Sequence, residues 1–139
     1  MYTLKDLSVI TGLTDRTLRT YIKMGILQGE KTDGVWSFSD EHIQMFFENN
    51  FARSAMQSKR NSLVFDFLAD QKKKEKRMCV ILDLPEDNHH SVRTFICEAV
   101  NRGTDLKMFY SKQRSGCRII LEGAEDSVFR IMQEFHEKF

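Results

Sequence analysis

The segment Thr14-Asp15-Arg16-Thr17-Leu18-Arg19-Thr20-Tyr21-Ile22-Lys23 holds the densest polar chemistry in the sequence. Arg16, Arg19 and Lys23 stand at i, i+3 and i+7, so a helix here puts them on one face, opposite Leu18 and Ile22. Guanidinium groups presented outward in this way can pair bidentately with guanine edges or hold phosphates. A solvated charged face is the plainer meaning of such a pattern, and its surroundings decide between the two. Cys79, Cys97 and Cys117, with His89 and His90, match no zinc spacing, and thiols in apolar strands pack as small core residues. His42 and His136 fall on predicted helices and read as surface residues. Lys72 to Arg77 is a basic run that reads as a solvated helix end, with phosphate contact as its second meaning. The sequence has no Gly-rich phosphate loop, no Ser-His-Asp arrangement and no carboxylate pair with a pocket rationale. No enzyme, metal site or cofactor is expected.

The elements that must position these residues are legible from punctuation. Thr3 is an N-cap with Asp6 three positions on, and Leu4, Leu7 and Ile10 give a short apolar stripe that Gly12 ends. Thr14 starts the next helix, with Asp15 in its first turn, and Gly25 stops it. Two short helices joined by a Gly-Leu-Thr turn are a helix-turn-helix pattern. Asp33-Gly34 is a two-residue hairpin turn, and Val35, Trp36 and Phe38 have strand propensity, so a small hairpin follows. Ser39-Asp40-Glu41 opens a third helix with Ile43, Met45, Phe46 and Phe47 on its apolar face.

Residues 51–77 read as a helical connector, one long helix or two shorter ones, with apolar residues suited to a dimer seam. From residue 78 the period changes. Met78 to Leu84 is an almost unbroken apolar run closed by Pro85, which predicts a buried strand. Asp87 or Asn88 caps a helix with Val92, Phe95, Ile96, Ala99 and Val100 inward, and Gly103 ends it. Strands at 106–110 and 117–121 flank a turn at Gln113–Gly116, and Ala124, Val128, Ile131, Met132 and Phe135 mark a last helix. The order β-α-β-β-α predicts an α+β layer, similar to a ferredoxin-like unit lacking its last strand, with a sheet edge that a second copy could cover. The expected division is 1–50, 51–77 and 78–139. Phe95, Met108, Tyr110, Phe129 and Phe135 could line an effector pocket, although plain core packing is the commoner meaning of such aromatics.

At 139 residues there is room for one domain or two small ones. The chain is 41% hydrophobic and 29% charged, with eleven Phe, which excludes disorder throughout. No apolar run is long enough for a transmembrane helix, and Met1 to Asp6 lacks the order of a signal peptide. The odd count of three Cys fits a reduced, cytoplasmic protein. The net charge is only +1, so a case for nucleic acid rests on where the basic residues sit.

The run from Tyr2-Thr3-Leu4-Lys5-Asp6-Leu7 through Thr11-Gly12-Leu13-Thr14-Asp15-Arg16-Thr17-Leu18-Arg19 to Met24-Gly25-Ile26-Leu27 resembles the DNA-binding domain of the MerR family. The Gly-Val-Trp-Ser-Phe-Ser-Asp-Glu segment after it resembles that family's wing and third helix, and is also similar to excisionase-type domains. The resemblance covers about residues 2–50. It implies a winged helix-turn-helix in which Arg16, Arg19 and Tyr21 contact DNA and the wing reaches flanking phosphates or the minor groove. Many members carry Tyr where this chain has Thr20 and a wing arginine where it has Trp36, which leaves Lys31 as the basic residue of the hairpin. Members usually dimerise through a following helix and carry a variable effector domain.

The expected function is that of a homodimeric, sequence-specific regulator binding double-stranded DNA, with an effector of unknown chemistry. Its candidate DNA-contacting residues are Thr14, Arg16, Thr17, Arg19, Thr20, Tyr21, Lys23, Lys31 and Trp36. An architectural DNA-binder of excisionase type and a protein-interaction module without a DNA role are the alternatives.

Overall fold

A computed structural model of the chain describes residues 1–85, 89–102 and 106–139. The expected cap at Asp87 or Asn88 and the helix stop at Gly103 lie outside the described residues, as does the side chain of His89. The described elements run β1 (Tyr2–Thr3), α1 (Leu4–Thr11), α2 (Asp15–Lys23), β2 (Glu30–Thr32), β3 (Val35–Phe38), α3 (Asp40–Glu48), α4 (Asn50–Ala69), β4 (Arg77–Leu84), α5 (His89–Arg102), β5 (Leu106–Lys112), β6 (Cys117–Ala124) and α6 (Glu125–Lys138). Helices and strands mix throughout, with two three-stranded sheets.

The N-terminal elements begin where the caps predict. The Thr3 hydroxyl accepts from the Asp6 amide and the Asp6 carboxylate accepts from the Thr3 amide, a reciprocal capping box. Ser39 caps α3 in the same way, and its partner is His42, whose Nδ1 accepts the Ser39 amide. His42 is therefore a half-buried cap residue rather than a surface one. Asp33 and Gly34 both have positive φ, the turn that a tight hairpin between β2 and β3 requires. Strand β1 pairs with β3 on its other side, so the chain start is stitched beside α3.

In the second sheet, β6 lies between β4 and β5 and is antiparallel to both. One face, with Met108, Tyr110, Ile119 and Leu121, is covered by α5 and α6. The helix α4 crosses the other face, where Arg60 donates to the Ser111 hydroxyl at 2.6 Å. The connector is thus one helix that ends at Ala69, and the lysine run is not part of it. Lys73 nevertheless folds back to donate to the carbonyls of Phe67 (2.6 Å) and Asp70, so a cation does meet the helix C-terminus.

Strand β4 differs from its expectation. It is an edge strand with no fully buried residue, and Ile81 is 54% exposed. A continuous apolar run predicts cover on both faces, but α4 lies over β5 and β6 and leaves the outer face of β4 open. Cys79 shares that face, in register with Glu122, and is half-buried rather than core.

The helix-turn-helix segment and the second sheet share one apolar core. Helix α1 packs on β5 and α5, and Phe47 of α3 meets Tyr110 of β5 with ring centroids 5.7 Å apart. A polar clasp closes the seam. Arg93, 3% exposed, donates to Asp40 at 2.9 Å, and the rings of Tyr2 and Tyr110 flank its guanidinium at 5.7 and 5.6 Å. The Tyr2 hydroxyl and His90 also reach the Asp40 carboxylate. Burial pushes that carboxyl upward, but the hydrogen bonds from His90, Arg93 and Tyr2 outweigh it and hold it below 3.8. The stability it contributes is complete above the ordinary carboxylate range and is lost as pH falls through the lowered value.

The clasp predicts an asymmetry. Arg93 has two nitrogens, Nε and Nη1, with no hydrogen-bond partner, so its charge leans on Asp40 alone among carboxylates at bonding distance in the described residues. Asp40→Ala strands a buried cation and is expected to cost about 1–3 kcal/mol, below the usual ~3–5 because Asp40 is itself half exposed. Arg93→Met removes the charge and keeps the volume, and should cost less. Urea unfolding of the two variants orders them, and a larger loss for Arg93→Met would sink this account.

Candidate nucleic-acid interface

Helix α2 is held by its neighbours on both sides. Gly12 closes α1 with φ of +73° and donates its amide to Ser8. Leu13 is buried in the turn, with its amide on the Thr11 hydroxyl and its carbonyl on the Ser8 hydroxyl. Thr14 then caps α2 by accepting from the Thr17 amide. The inward face is Leu18, fully buried, and Tyr21, 7% exposed, while Ile22 is only half-buried. The Tyr21 ring leans on Phe46 at 5.9 Å and Phe51 at 5.7 Å. Tyr21, expected to hold a DNA backbone, thus stands inward against an aromatic shelf supplied by α3 and α4. The helical period alone did not separate it from Ile22.

The outward face carries Arg16, Arg19, Thr20 and Lys23, all exposed. Arg19 Nε meets Asp15 Oδ2 at 2.8 Å, an exposed i,i+4 pair of small energetic weight that a stronger anion can displace. The Thr20 hydroxyl donates to the Arg16 carbonyl, and the Thr14 and Thr17 hydroxyls bond each other at 3.0 Å. The three threonines therefore spend hydroxyl contacts on the helix itself. In the hairpin, Trp36 stacks on Phe38 at 6.4 Å and Lys31 places its ammonium 5.6 Å from the Trp36 ring centroid. Lys31 is exposed beside the turn, and Trp36 is half-buried. Among the described residues, Arg16 and Lys23 make no ion pair, Arg19 meets only exposed Asp15 and Lys31 lies by the half-buried Trp36 ring, while Tyr21 and Trp36 pack against aromatic neighbours.

Residues 2–47 match the family model described as MerR HTH family regulatory protein. This segment is a MerR-type helix-turn-helix. No curated protein and no solved structure matches the chain. The match ends at the last turn of α3, and α4, the second sheet and its helices lie outside the matched residues.

Outside the MerR-type segment, burial separates the other candidates. Met108 and Phe135 are core residues and Phe129 is 64% exposed, so of the five expected pocket residues two line cavities: Tyr110 at the seam, and Phe95, itself mostly buried, in an open cleft between α5 and α6. Among the described residues, no three His, Cys, Asp or Glu side chains gather as a metal site, and no helix is long and apolar enough to cross a membrane. Burial, with Asp6 close by, pushes the Cys97 thiol up to about 12. A raised native value favours the folded state below the ordinary 9.0 of a thiol, and that contribution is lost as pH rises toward 12. Iodoacetamide at pH 8 should leave Cys97 and Cys117 unmodified in the native chain and label both in urea, read by intact mass. Native labelling of Cys97 at the unfolded rate would contradict its burial.

Proposed function

We propose that the chain is a DNA-binding transcriptional regulator that acts as a homodimer, each protomer laying α2 into a major groove. The observation that carries this reading is the exposed face of α2, with Arg16, Arg19 and Lys23 aligned on a helix that follows a tight turn inside a MerR-type segment. In this reading Arg16 and Arg19 meet base edges or phosphates, Thr14, Thr17, Thr20 and Lys23 line the phosphate track, and the β2–β3 hairpin acts as a wing whose charge is Lys31. Tyr21 and Trp36 fix the helix and the hairpin from within. The unit from β4 to α6 is read as ferredoxin-like without its last strand, and the division at about residues 50 and 77 is read as DNA-binding segment, connecting helix and dimerisation or effector unit. Apolar side chains left in water support a dimer. Phe51, Phe65 and Leu68 on α4 are 59%, 73% and 71% exposed, and β4 offers an unpaired edge.

Selection of bound duplexes from a random pool, at two salt concentrations, tests this reading. A sequence-specific dimer enriches a palindrome whose half-site spacing reports the distance between the two α2 helices. Enrichment of nothing, with binding that collapses as salt rises, would leave only phosphate attraction and favour an architectural role. No binding at low salt would favour an interaction module.

A further inference from the structure

A cavity of about 490 Å³ opens where the MerR-type segment, α4 and the β5–β6 hairpin meet. Its polar lining is strongly one-signed. Arg53 and Arg60 come from α4, and Lys112, Arg114 and Arg118 from the hairpin, against Glu48 as the single acid. Arg118 is held in a two-bond pair with Asp83, at 2.6 and 3.0 Å. Arg60 has only the neutral Ser111 hydroxyl, and no ion pair joins it to a carboxylate among the described residues. Burial and the facing charge of Arg118 both pull Arg60 below the ordinary arginine value. A half-buried guanidinium beside another cation is an unfavourable arrangement for an empty site and a favourable one once an anion enters. The rest of the wall is mixed, with an apolar patch of Phe47, Met56 and Phe109 beside the polar Gln57, Ser111 and Gln113. A volume near 500 Å³ that joins an apolar patch to a few convergent charges suits a small molecule with an apolar body and a charged end.

We propose that this cavity binds a small amphipathic anion, its aromatic or apolar body against Phe47, Met56 and Phe109 and its carboxylate or phosphate group on Arg60 and Arg118. Thr11, at the end of α1, and Glu48, at the end of α3, also line the cavity. A ligand there touches the frame that positions α2 and the downstream sheet together. As an effector site the cavity rests on the DNA-binding reading; as a binding site it does not.

The test uses the full chain without DNA, with 1-anilinonaphthalene-8-sulfonate as a general amphipathic anion followed by fluorescence and calorimetry. Saturable one-to-one binding is expected, weakened about 10-fold or more by Arg60→Gln and largely kept by Arg60→Lys, a change of roughly 1.4 kcal/mol per tenfold. Arg118→Gln gives a second reading if the first variant melts early. Phe129→Ser, exposed on α6 and outside the cavity lining, should leave binding unchanged. Displacement by salicylate identifies a carboxylate site, and displacement by adenosine 5′-monophosphate a phosphate site. Three results would each overturn the proposal: unsaturable binding, loss with Phe129→Ser but not with Arg60→Gln, or an Arg60→Gln defect confined to duplex affinity. A failed duplex selection with intact anion binding would remove the regulatory reading and leave this site standing.

Discussion

The Arg16→Glu, Arg19→Glu double variant is expected to bind duplex DNA at least about 100-fold more weakly than the parent chain at matched salt. Each well-placed arginine contributes roughly 1–3 kcal/mol of base or phosphate recognition, and a carboxylate in its place adds repulsion. Both side chains are exposed and neither packs in the core, so folding should survive. The Asp15 pair to Arg19 is lost, which costs a few tenths of a kcal/mol on an exposed helix. Thermal melting checks the fold, and titration over several salt concentrations separates the roles. If both arginines grip phosphates, the slope of log affinity against log salt falls by about two. If they read bases, the slope holds and discrimination between sites fails instead. Affinity that persists in the double variant would remove α2 from the interface.

Gly12→Ala should unfold the chain far more readily than its chemistry suggests. Gly12 sits at φ of +73°, where an L side chain costs roughly 1–2 kcal/mol. A Cβ built there would also lie 1.8 Å from Phe109 Cε1, so a ring or a backbone must move. Overpacking of that kind costs about 1–3 kcal/mol. The total is about 2–5 kcal/mol, a large share of the ~5–15 that keeps a typical domain folded. Pairing Gly12→Ala with Phe109→Ala in a double-mutant cycle isolates the steric part. A coupling of about 1 kcal/mol or more is expected, with the backbone cost left over. An additive cycle would mean that the turn between α1 and α2 does not rest on β5.

Local features were legible in the sequence because local forces set them. Thr3 with Asp6, Ser39 before Asp40, Asp33-Gly34 and the Gly12 stop are backbone hydrogen-bonding devices a few residues long, and each stands where its spacing puts it. The resemblance to MerR-type segments extended this to residues 2–47. Tyr21 was less legible, because a tyrosine on an amphipathic helix suits either face and the shelf that turns it inward comes from Phe46 and Phe51. Met78 to Leu84 misled for a related reason. Its composition asks for cover on both sides, and only the tertiary path of α4 shows that one side goes without. The basic cavity left no sequence signal at all. Arg53 and Arg60 stand far from Arg114 and Arg118 along the chain, and only the crossing of α4 over the hairpin brings them to one wall.

The packing of α1 against β5 and α5 has a consequence in time. During synthesis the N-terminal helices leave the ribosome first, but the surface on which α1 and Phe47 rest belongs to residues near the other end. Translation at about 5–20 residues per second opens an interval of several seconds between them. Through that interval Gly12 has no Phe109 above it, and Arg93 has yet to reach Asp40. The nascent helix-turn-helix therefore waits with one flank bare, and its protection from proteases arrives with β5 and β6.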